Sequence, residues 1–323
     1  MNPSTLQPKP TVFLTGVSSF TGCWFAHLLL AAGFKVVGTY TRSGPEAYSG
    51  IEAQRVNLVR DRIDPVWSAP FGSDRMLEAL ENTGAAVLGL HGAQVGDHRA
   101  PDFDVLGSAR ATTEGLGNVL EIFRKTGGQG VIHTASYFEA DTGKGDEPRE
   151  AFSPYALCKT LTWHMVRYEI IRRRIPLVRF VIPNPFGPLD KPGFTNYLLR
   201  TWSENKPAEV RTPLYERDNI PVSLLAAEYV NACRILLEKT VSGLEILEPS
   251  GFRETQGAFA ERFAGELRSR TGWDCALIMN QKTEWNEPRV RQNRGTNQTV
   301  QWDESVFWDA MAKEALHLKE NRV

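Results

Sequence analysis

Tyr155 and Lys159 stand four residues apart in Ser153-Pro154-Tyr155-Ala156-Leu157-Cys158-Lys159, at the start of a stretch with helical spacing. Four residues is about one helical turn, so both side chains share a face. A phenol is a poor acid or base near neutrality because its unperturbed pKa is about 10. A cation one turn away favours the phenolate and lowers that value, which makes the tyrosine available for proton transfer. Ser136, earlier in the chain, adds a hydroxyl at the end of a β-type run. The spacing is common by chance, and a surface tyrosine and lysine sharing a helix face is the plain alternative. Position decides between them, and position depends on the elements around the pair.

The first such element is a buried strand expected over residues 11–14, which enters Thr15-Gly16-Val17-Ser18-Ser19-Phe20-Thr21-Gly22 and then an apolar helix. Strand, glycine turn and helix form the context of a phosphate-binding loop. Gly16 permits the turn, Gly22 lets helix and strand pack closely, and the helix N-terminus offers free N–H groups to a pyrophosphate. Ser18, Ser19, Phe20 and Thr21 line this loop, with Ser19 at the place of the usual middle glycine. A second strand over 34–40 ends in Thr41-Arg42-Ser43, where an NAD site usually carries an acid for the adenosine ribose. Arg42 beside a hydroxyl suits a 2′-phosphate instead, so NADP(H) is favoured and NAD(H) is the alternative. Val56, Asn57 and Leu58 are read as a third strand whose end flanks the adenine.

Further strands are expected over 85–90, ending in His91-Gly92-Ala93, and over 130–136, ending in Ser136. Small residues at a strand end let backbone approach a ligand, so Gly92 and Ala93 join the cofactor set. His133, mid-strand, reads as a packed core histidine. Apolar residues at helical spacing run from 103 to 125, interrupted only by glycines 107, 115 and 117. A strand over 177–182 leads into Pro183-Asn184-Pro185-Phe186-Gly187-Pro188, a rigid loop suited to a ligand wall. Strands alternating with helices indicate a doubly wound parallel sheet of the α/β class, with its ligand crevice at the carboxyl ends of the strands.

After residue 190 the alternation fades. Residues 217–223 and 287–293 are read as loops, the second exposed and basic, among helices expected over 194–202, 224–239, 256–268 and 304–316. The expected division is a nucleotide-binding domain over 1–190 and a smaller substrate lobe over 191–323, with about 215–245 returning to the first.

Composition sets the bounds. The 323 residues are 41% hydrophobic and 23% charged, ordinary values for a globular protein with a real core. A formal net charge of −1 gives no sign of a nucleic-acid or anionic-membrane partner. Four scattered cysteines, without a C-x-x-C, argue against a zinc site or a disulfide framework, so no metal is expected. The polar, proline-containing start is unlike a signal peptide, and no apolar run is long enough to span a bilayer. A cytoplasmic protein is the expectation.

Taken in order, Thr15-Gly16…Phe20-x-Gly22, Asn57-Leu58, His91-Gly92-Ala93, Ser136, Tyr155-x-x-x-Lys159, the Pro183–Pro188 run and Arg217-Asp218-Asn219-Ile220-Pro221-Val222 resemble the extended short-chain dehydrogenase/reductases. Within these the likeness is to the nucleotide-sugar epimerase/dehydratase/reductase family, from Val12 to about Asn293. The resemblance implies a Rossmann-type domain and a C-terminal substrate lobe. It makes Tyr155 the acid/base, Lys159 the residue that lowers its pKa and holds the nicotinamide ribose, and Ser136 the hydroxyl on the reacting sugar oxygen. Pro183 falls against the cofactor. Asn184 looks like a substrate-contacting asparagine and Arg217 like a grip on the nucleotide diphosphate, with Arg289 or Arg291 as a second. A homodimer through helices of 103–125 and 155–174 is also implied. Three departures stand out: Ser19 in the loop, Thr112 where a helix asparagine is usual, and Pro221 and Ser223 where His and Asp are usual.

The residues just after Ser136 narrow the reaction. A 4,6-dehydratase would carry an Asp-Glu pair there, whereas this chain has Tyr137-Phe138, and Glu139 is the nearest carboxylate. Arg42 tilts the reading towards an NADPH-dependent 4-ketoreductase, with an NAD-dependent 4-epimerase as the alternative. A non-catalytic dinucleotide sensor is disfavoured because Ser136, Tyr155 and Lys159 are all retained.

Overall fold

The computed structural model describes residues 9–93, 102–280, 287–295 and 300–320. Its first part alternates strand and helix: β1 (Thr11–Leu14), α1 (Phe20–Ala31), β2 (Lys35–Thr39), α2 (Gly50–Val59), β3 (Asp64–Val66), α3 (Asp74–Thr83) and β4 (Val87–Leu90). There follow α4 (Val105–Thr113), α5 (Leu116–Lys125), β5 (Gly130–Ser136), the two-residue β6 (Lys144–Gly145), α6 (Pro154–Ile171) and β7 (Leu177–Ile182). The second part contains β8 (Asn184–Phe186), α7 (Phe194–Ser203), β9 (Ala208–Val210), β10 (Glu216–Pro221), α8 (Val222–Leu237) and β11 (Leu244–Leu247). It ends with β12 (Phe252–Thr255), α9 (Gln256–Thr271), β13 (Leu277–Met279), β14 (Val290–Gln292) and α10 (Glu304–Glu320).

Seven strands pair in parallel in the order β11-β7-β5-β4-β1-β2-β3. This is the doubly wound, Rossmann-type sheet expected from the alternation. The chain runs outward from β1 to β3, then returns to β4 and runs outward the other way. The switch point therefore falls between β1 and β4, where a crevice opens at the carboxyl ends. Side-chain alternation along β1 feeds two cores: Val12 and Leu14 pack with Phe25, Phe180 and Tyr229 on one face, and Phe13 packs with Leu120, Phe123 and Ile170 on the other.

A second sheet runs β12-β10-β14-β6, with β8 also pairing to β10, and β9 pairs with β13. Beneath these lies an aromatic core of Phe186, Trp202, Phe259, Phe263, Phe307 and Trp308. Phe186 meets Phe259 and Phe307 edge-on, with ring centroids 5.0 and 5.2 Å apart. Because β8 directly follows β7, the second sheet is tied to the carboxyl edge of the first.

Three sequence expectations are overturned, and the structure shows how the interrupted run over 103–125 divides. Asn57 and Leu58 lie in α2 and not in a strand: Arg55, Val56 and Val59 form its buried face at helical spacing. The third strand is β3, where Pro65 is tolerated because the strand lies at the sheet edge. Residues 217–223 are not a loop but β10 and the start of α8, since pairing with β8, β12 and β14 compensates for their polar side chains. Residues 287–293 include β14, and Arg291 and Asn293 are fully buried. The helical run over 103–125 is two helices, broken at Gly115, whose φ of 76° and contact with Gly72 suit only glycine.

Candidate functional site

The glycine loop lies over the switch point. A Cβ on Gly16, whose φ is 73°, would come within 2.7 Å of the Gly92 Cα, and one on Gly22 within 2.2 Å of the Gly16 carbonyl oxygen. Both positions therefore exclude any side chain. Thr15 Oγ1 accepts hydrogen bonds from the N–H groups of His91 and Gly92 at 2.9 and 2.8 Å, locking the ends of β1 and β4 together. Ser19 caps α1, its Oγ accepting from Gly22 N–H at 3.1 Å. The serine at the glycine position thus serves the helix, and the N-terminus of α1 still points into the crevice, the arrangement an anionic pyrophosphate fits. Ser18 and Thr21 flank it.

His91 plays a larger part than its reading as the first residue of a small-residue turn. Its Nε2 lies 3.0 Å from both Ser19 Oγ and Thr21 Oγ1, and its Nδ1 lies 2.9 Å from Thr134 Oγ1. Burial and the Lys159 charge hold this imidazole down to about 3, so it is neutral and joins the loop to β5 through hydroxyls.

β5 delivers Ser136 and α6 delivers Tyr155 and Lys159 to the same end of the sheet. Ser153 caps α6, accepting from Ala156 N–H at 3.1 Å, and Pro154 occupies the first turn, where its missing N–H costs nothing. Tyr155 and Ser136 are joined side chain to side chain by a hydrogen bond. Lys159 is buried and its Nζ donates to the Thr134 carbonyl at 2.8 Å. The predicted lowering of the Tyr155 pKa is not what this geometry gives. Burial first, and Glu139 next, push the phenol up to about 12, with the Ser136 hydrogen bond pulling the other way. Burial also lowers Lys159, against the pull of Glu139.

Glu139 is not a solvated loop carboxylate. It is fully buried, accepting from Ser136 N–H through Oε1 at 2.8 Å and from Arg179 Nη2 through Oε2 at 2.5 Å. Arg179 also donates to Thr142 at 2.9 Å and lies 4.3 Å over the Trp163 ring. A signal existed for this pair: Arg179 is the one charge in an otherwise apolar strand, and a buried charge demands a partner. His133 is a core histidine, stacked on Trp163 at 5.7 Å.

The lobe adds cations. Arg217 and Arg291 are register partners on the parallel strands β10 and β14, and both are buried. Arg217 donates to the carbonyls of Glu216 and Arg289 and pairs with Glu287 at 3.0 Å. Arg291 donates one N–H to the Glu150 carbonyl at 2.9 Å, while its Nε and Nη1 find no acceptor among the described residues. Burial, then Arg149 and Arg217, lower its pKa. Arg289 is exposed, so Arg291 is the second arginine of the cluster. Asn184 stands exposed on β8, donating to Asn219 Oδ1 at 2.6 Å, and Pro183 is buried before it.

Arg42 is held by neighbours on the loop and on α2. It pairs with Glu52 at 2.8 Å, donates to the Ala47 carbonyl and lies 4.5 Å over the Tyr48 ring. Asn57 is exposed on α2, and Leu58 packs partly against the core, so neither stands at a strand end. Gly92 and Ala93 are half-buried at the crevice. Among the described residues there is no cluster of three metal-ligating side chains, and no helix is long and apolar enough to cross a membrane.

Sheet order, glycine loop and the Ser136/Tyr155/Lys159 convergence define an extended short-chain dehydrogenase/reductase fold. The chain belongs to the NAD dependent epimerase/dehydratase family, whose sequence profile matches residues 12–244. No curated protein matches the sequence. Solved structures with the same fold include a point mutant of UDP-glucuronic acid 4-epimerase from Bacillus cereus, in complex with UDP-4-deoxy-4-fluoro-glucuronic acid and NAD, with TM-score 0.74 and 17% identity over 95% of this chain and 99% of that one. Another is UDP-glucose-4-epimerase from Stenotrophomonas maltophila, with bound NAD and formylated UDP-arabinopyranose, at TM-score 0.72 and 16% identity over 97% and 99%. A third, UDP-glucose 4-epimerase from Brucella ovis with NAD, gives TM-score 0.70 and 19% identity over 95% and 98%.

Proposed function

We propose that this protein is a nicotinamide-dependent enzyme acting on a nucleotide-activated sugar, with epimerisation at C4 as the favoured outcome. The observation that carries the reading is the Tyr155–Ser136 hydrogen bond at the carboxyl end of β5, one helical turn from Lys159 and facing the glycine loop. Tyr155 exchanges a proton with the sugar oxygen, Ser136 orients that oxygen, and Lys159 supplies the cation. In the free protein Tyr155 is held protonated, which suits it to donate to a carbonyl oxygen. The reverse direction needs a cation against the phenol, which Lys159 supplies by turning from the Thr134 carbonyl.

Gly16, Ser18, Ser19, Phe20, Thr21 and Gly22 would hold the dinucleotide pyrophosphate, and Gly92, Ala93 and Pro183 would line the path to the reacting carbon. A nicotinamide bound there would supply reversible hydride transfer at the sugar carbon. Arg217 and Arg291 grip the substrate diphosphate, a role supported by Nε and Nη1 of Arg291, which lack acceptors among the described residues. Asn184 faces the sugar from the lobe. Leu106 on α4 and Leu157, Met165, Tyr168 and Ile171 on α6 leave large apolar groups exposed, which supports a homodimer through these helices.

The Arg42–Glu52 pair favours NAD over NADP(H), because the arginine charge is already balanced. A 4-ketoreductase using NADPH is the second reading, supported by the lack of an acid in Tyr40-Thr41-Arg42-Ser43. Dehydration is disfavoured: Glu139, the nearest carboxylate after Ser136 in the sequence, is bound to Arg179. Mass spectrometry of nucleotides released from purified protein, with incubation in UDP-glucose and UDP-glucuronic acid, tests the choice. Released NAD and C4 inversion without net nicotinamide reduction are expected. Stoichiometric NADPH oxidation by a 4-keto nucleotide sugar, with no inversion, would move the assignment to the reductase.

A further inference from the structure

Glu139 and Arg179 form a fully enclosed ion pair directly behind Ser136. Glu139 is 0% and Arg179 7% exposed, and Thr142, the third member, is 1% exposed. Taking two such charges out of water costs several kcal/mol per ion before their attraction is counted. The pair therefore needs a reason beyond stability, and its geometry supplies one. One carboxylate oxygen is spent on the backbone N–H of Ser136 at 2.8 Å and the other on Arg179 at 2.5 Å. Arg179 is fixed in turn by Thr142 Oγ1 at 2.9 Å and by the Trp163 ring at 4.3 Å. The chain from Trp163 to Ser136 leaves the serine backbone one position, with its Oγ accepting from Phe138 N–H at 3.2 Å and bonded to Tyr155.

We propose that Glu139, clamped by Arg179, is a positioning residue of the proton-transfer site, fixing Ser136 at its backbone N–H and holding a buried negative charge against Tyr155 and Lys159. This rests on the proposed proton-transfer role of Tyr155. The charged and titratable groups around the site are Ser136 and Glu139 from the end of β5 and the turn after it, Arg179 from β7, and Cys158 and Lys159 from α6. His91 and His133 lie behind Lys159, and both are held neutral by burial and its charge. Glu139 raises both Tyr155 and Lys159: it adds to burial in favouring the protonated phenol, and it opposes burial and Arg179 in favouring the charged amine. This protonation state serves the reducing half of the proposed cycle, in which the keto sugar takes back a hydride and the Tyr155 proton.

The first measurement needs no substrate. The phenolate of Tyr155 is titrated by ultraviolet absorption, as the difference between each protein and the same protein carrying Tyr155→Phe. Glu139→Gln keeps an acceptor for Ser136 N–H but loses the charge, so the Tyr155 midpoint is expected to fall by about one pH unit. Glu139→Gln combined with Arg179→Met leaves no unpaired buried charge and is expected to give a smaller fall in the same direction, because the opposing Arg179 charge goes too; it covers the case in which the single variant does not fold. Turnover of UDP-glucose or UDP-glucuronic acid should drop on the order of tenfold to a hundredfold in kcat for Glu139→Ala, with KM unchanged and partial rescue by Glu139→Gln. An unmoved midpoint in both charge-removing proteins would overturn the proposal. If Tyr155→Phe keeps full turnover, the proton-transfer reading fails by itself, whereas an inactive Tyr155→Phe with an unmoved midpoint removes only the role of Glu139.

Discussion

Arg291 would be costly to the fold and useful to the proposed site. It is fully buried beside Arg149 and Arg217, with Nε and Nη1 unpaired among the described residues. An unpaired buried cation destabilises the free protein, and a charge-assisted pair with a phosphate offsets that cost. Arg291→Met should therefore raise the melting temperature of the ligand-free protein. It should also raise KM for the UDP-sugar roughly 10–100-fold with little change in kcat. Calorimetry and steady-state kinetics read the two effects separately, and a fall in melting temperature would mean that the arginine is structural. The proposed catalytic trio is legible in the sequence because Tyr155 and Lys159 are related by a local helical period and Ser136 ends a local apolar run. Arg291 and Glu139 look like loop residues there, because their burial depends on strands far away in sequence. The charge of Arg42 is plain from the sequence, but nothing near it reveals that Glu52 takes that charge.

At the scale of elements, the joint between the two sheets carries the next prediction. Leu189 follows β8 with φ 69°, and its carbonyl accepts from Arg55 Nε on α2 at 2.9 Å. Its N–H donates to Glu314 on α10, which lies near Asp190. Burial pushes Glu314 up to about 7 and Asp190 up to about 6. Both values stand above those of the unfolded chain, about 4, so the folded state binds more protons in this window. Their contribution is complete below about pH 4 and is lost as pH rises through 6 to 7. The melting temperature should fall between about pH 5 and pH 8, and Glu314→Gln should flatten that fall. A slope unchanged by the substitution would place the pH dependence elsewhere. Most helices are legible in the sequence through caps and periodicity, as at Ser73, Ser153 and Thr255. The short strands β3, β10 and β14 are not, because a proline at an edge or a run of polar residues becomes a strand only through its partners.

For the molecule as a whole, the parallel sheet follows from the alternation of apolar strands with helices, and that alternation also sets the crevice over β1 and β4. The lobe is harder to read, since five of its strands have three or four residues and pair across long separations. Its placement matters to the proposed chemistry nonetheless: β10 and β14 bring arginines towards the end of the sheet where β5 and α6 bring Ser136, Tyr155 and Lys159. The central claim is that this convergence moves a proton through Tyr155 while a sugar is oxidised at C4. Positioned acid/base catalysis contributes roughly 10²–10⁴ in rate. The direct measurement is turnover of a UDP-sugar by wild-type protein and by Tyr155→Phe, with melting temperature and bound dinucleotide checked in both. A loss of that size with fold and cofactor retained is the predicted result; a Tyr155→Phe protein that turns over as fast as wild type would contradict the claim.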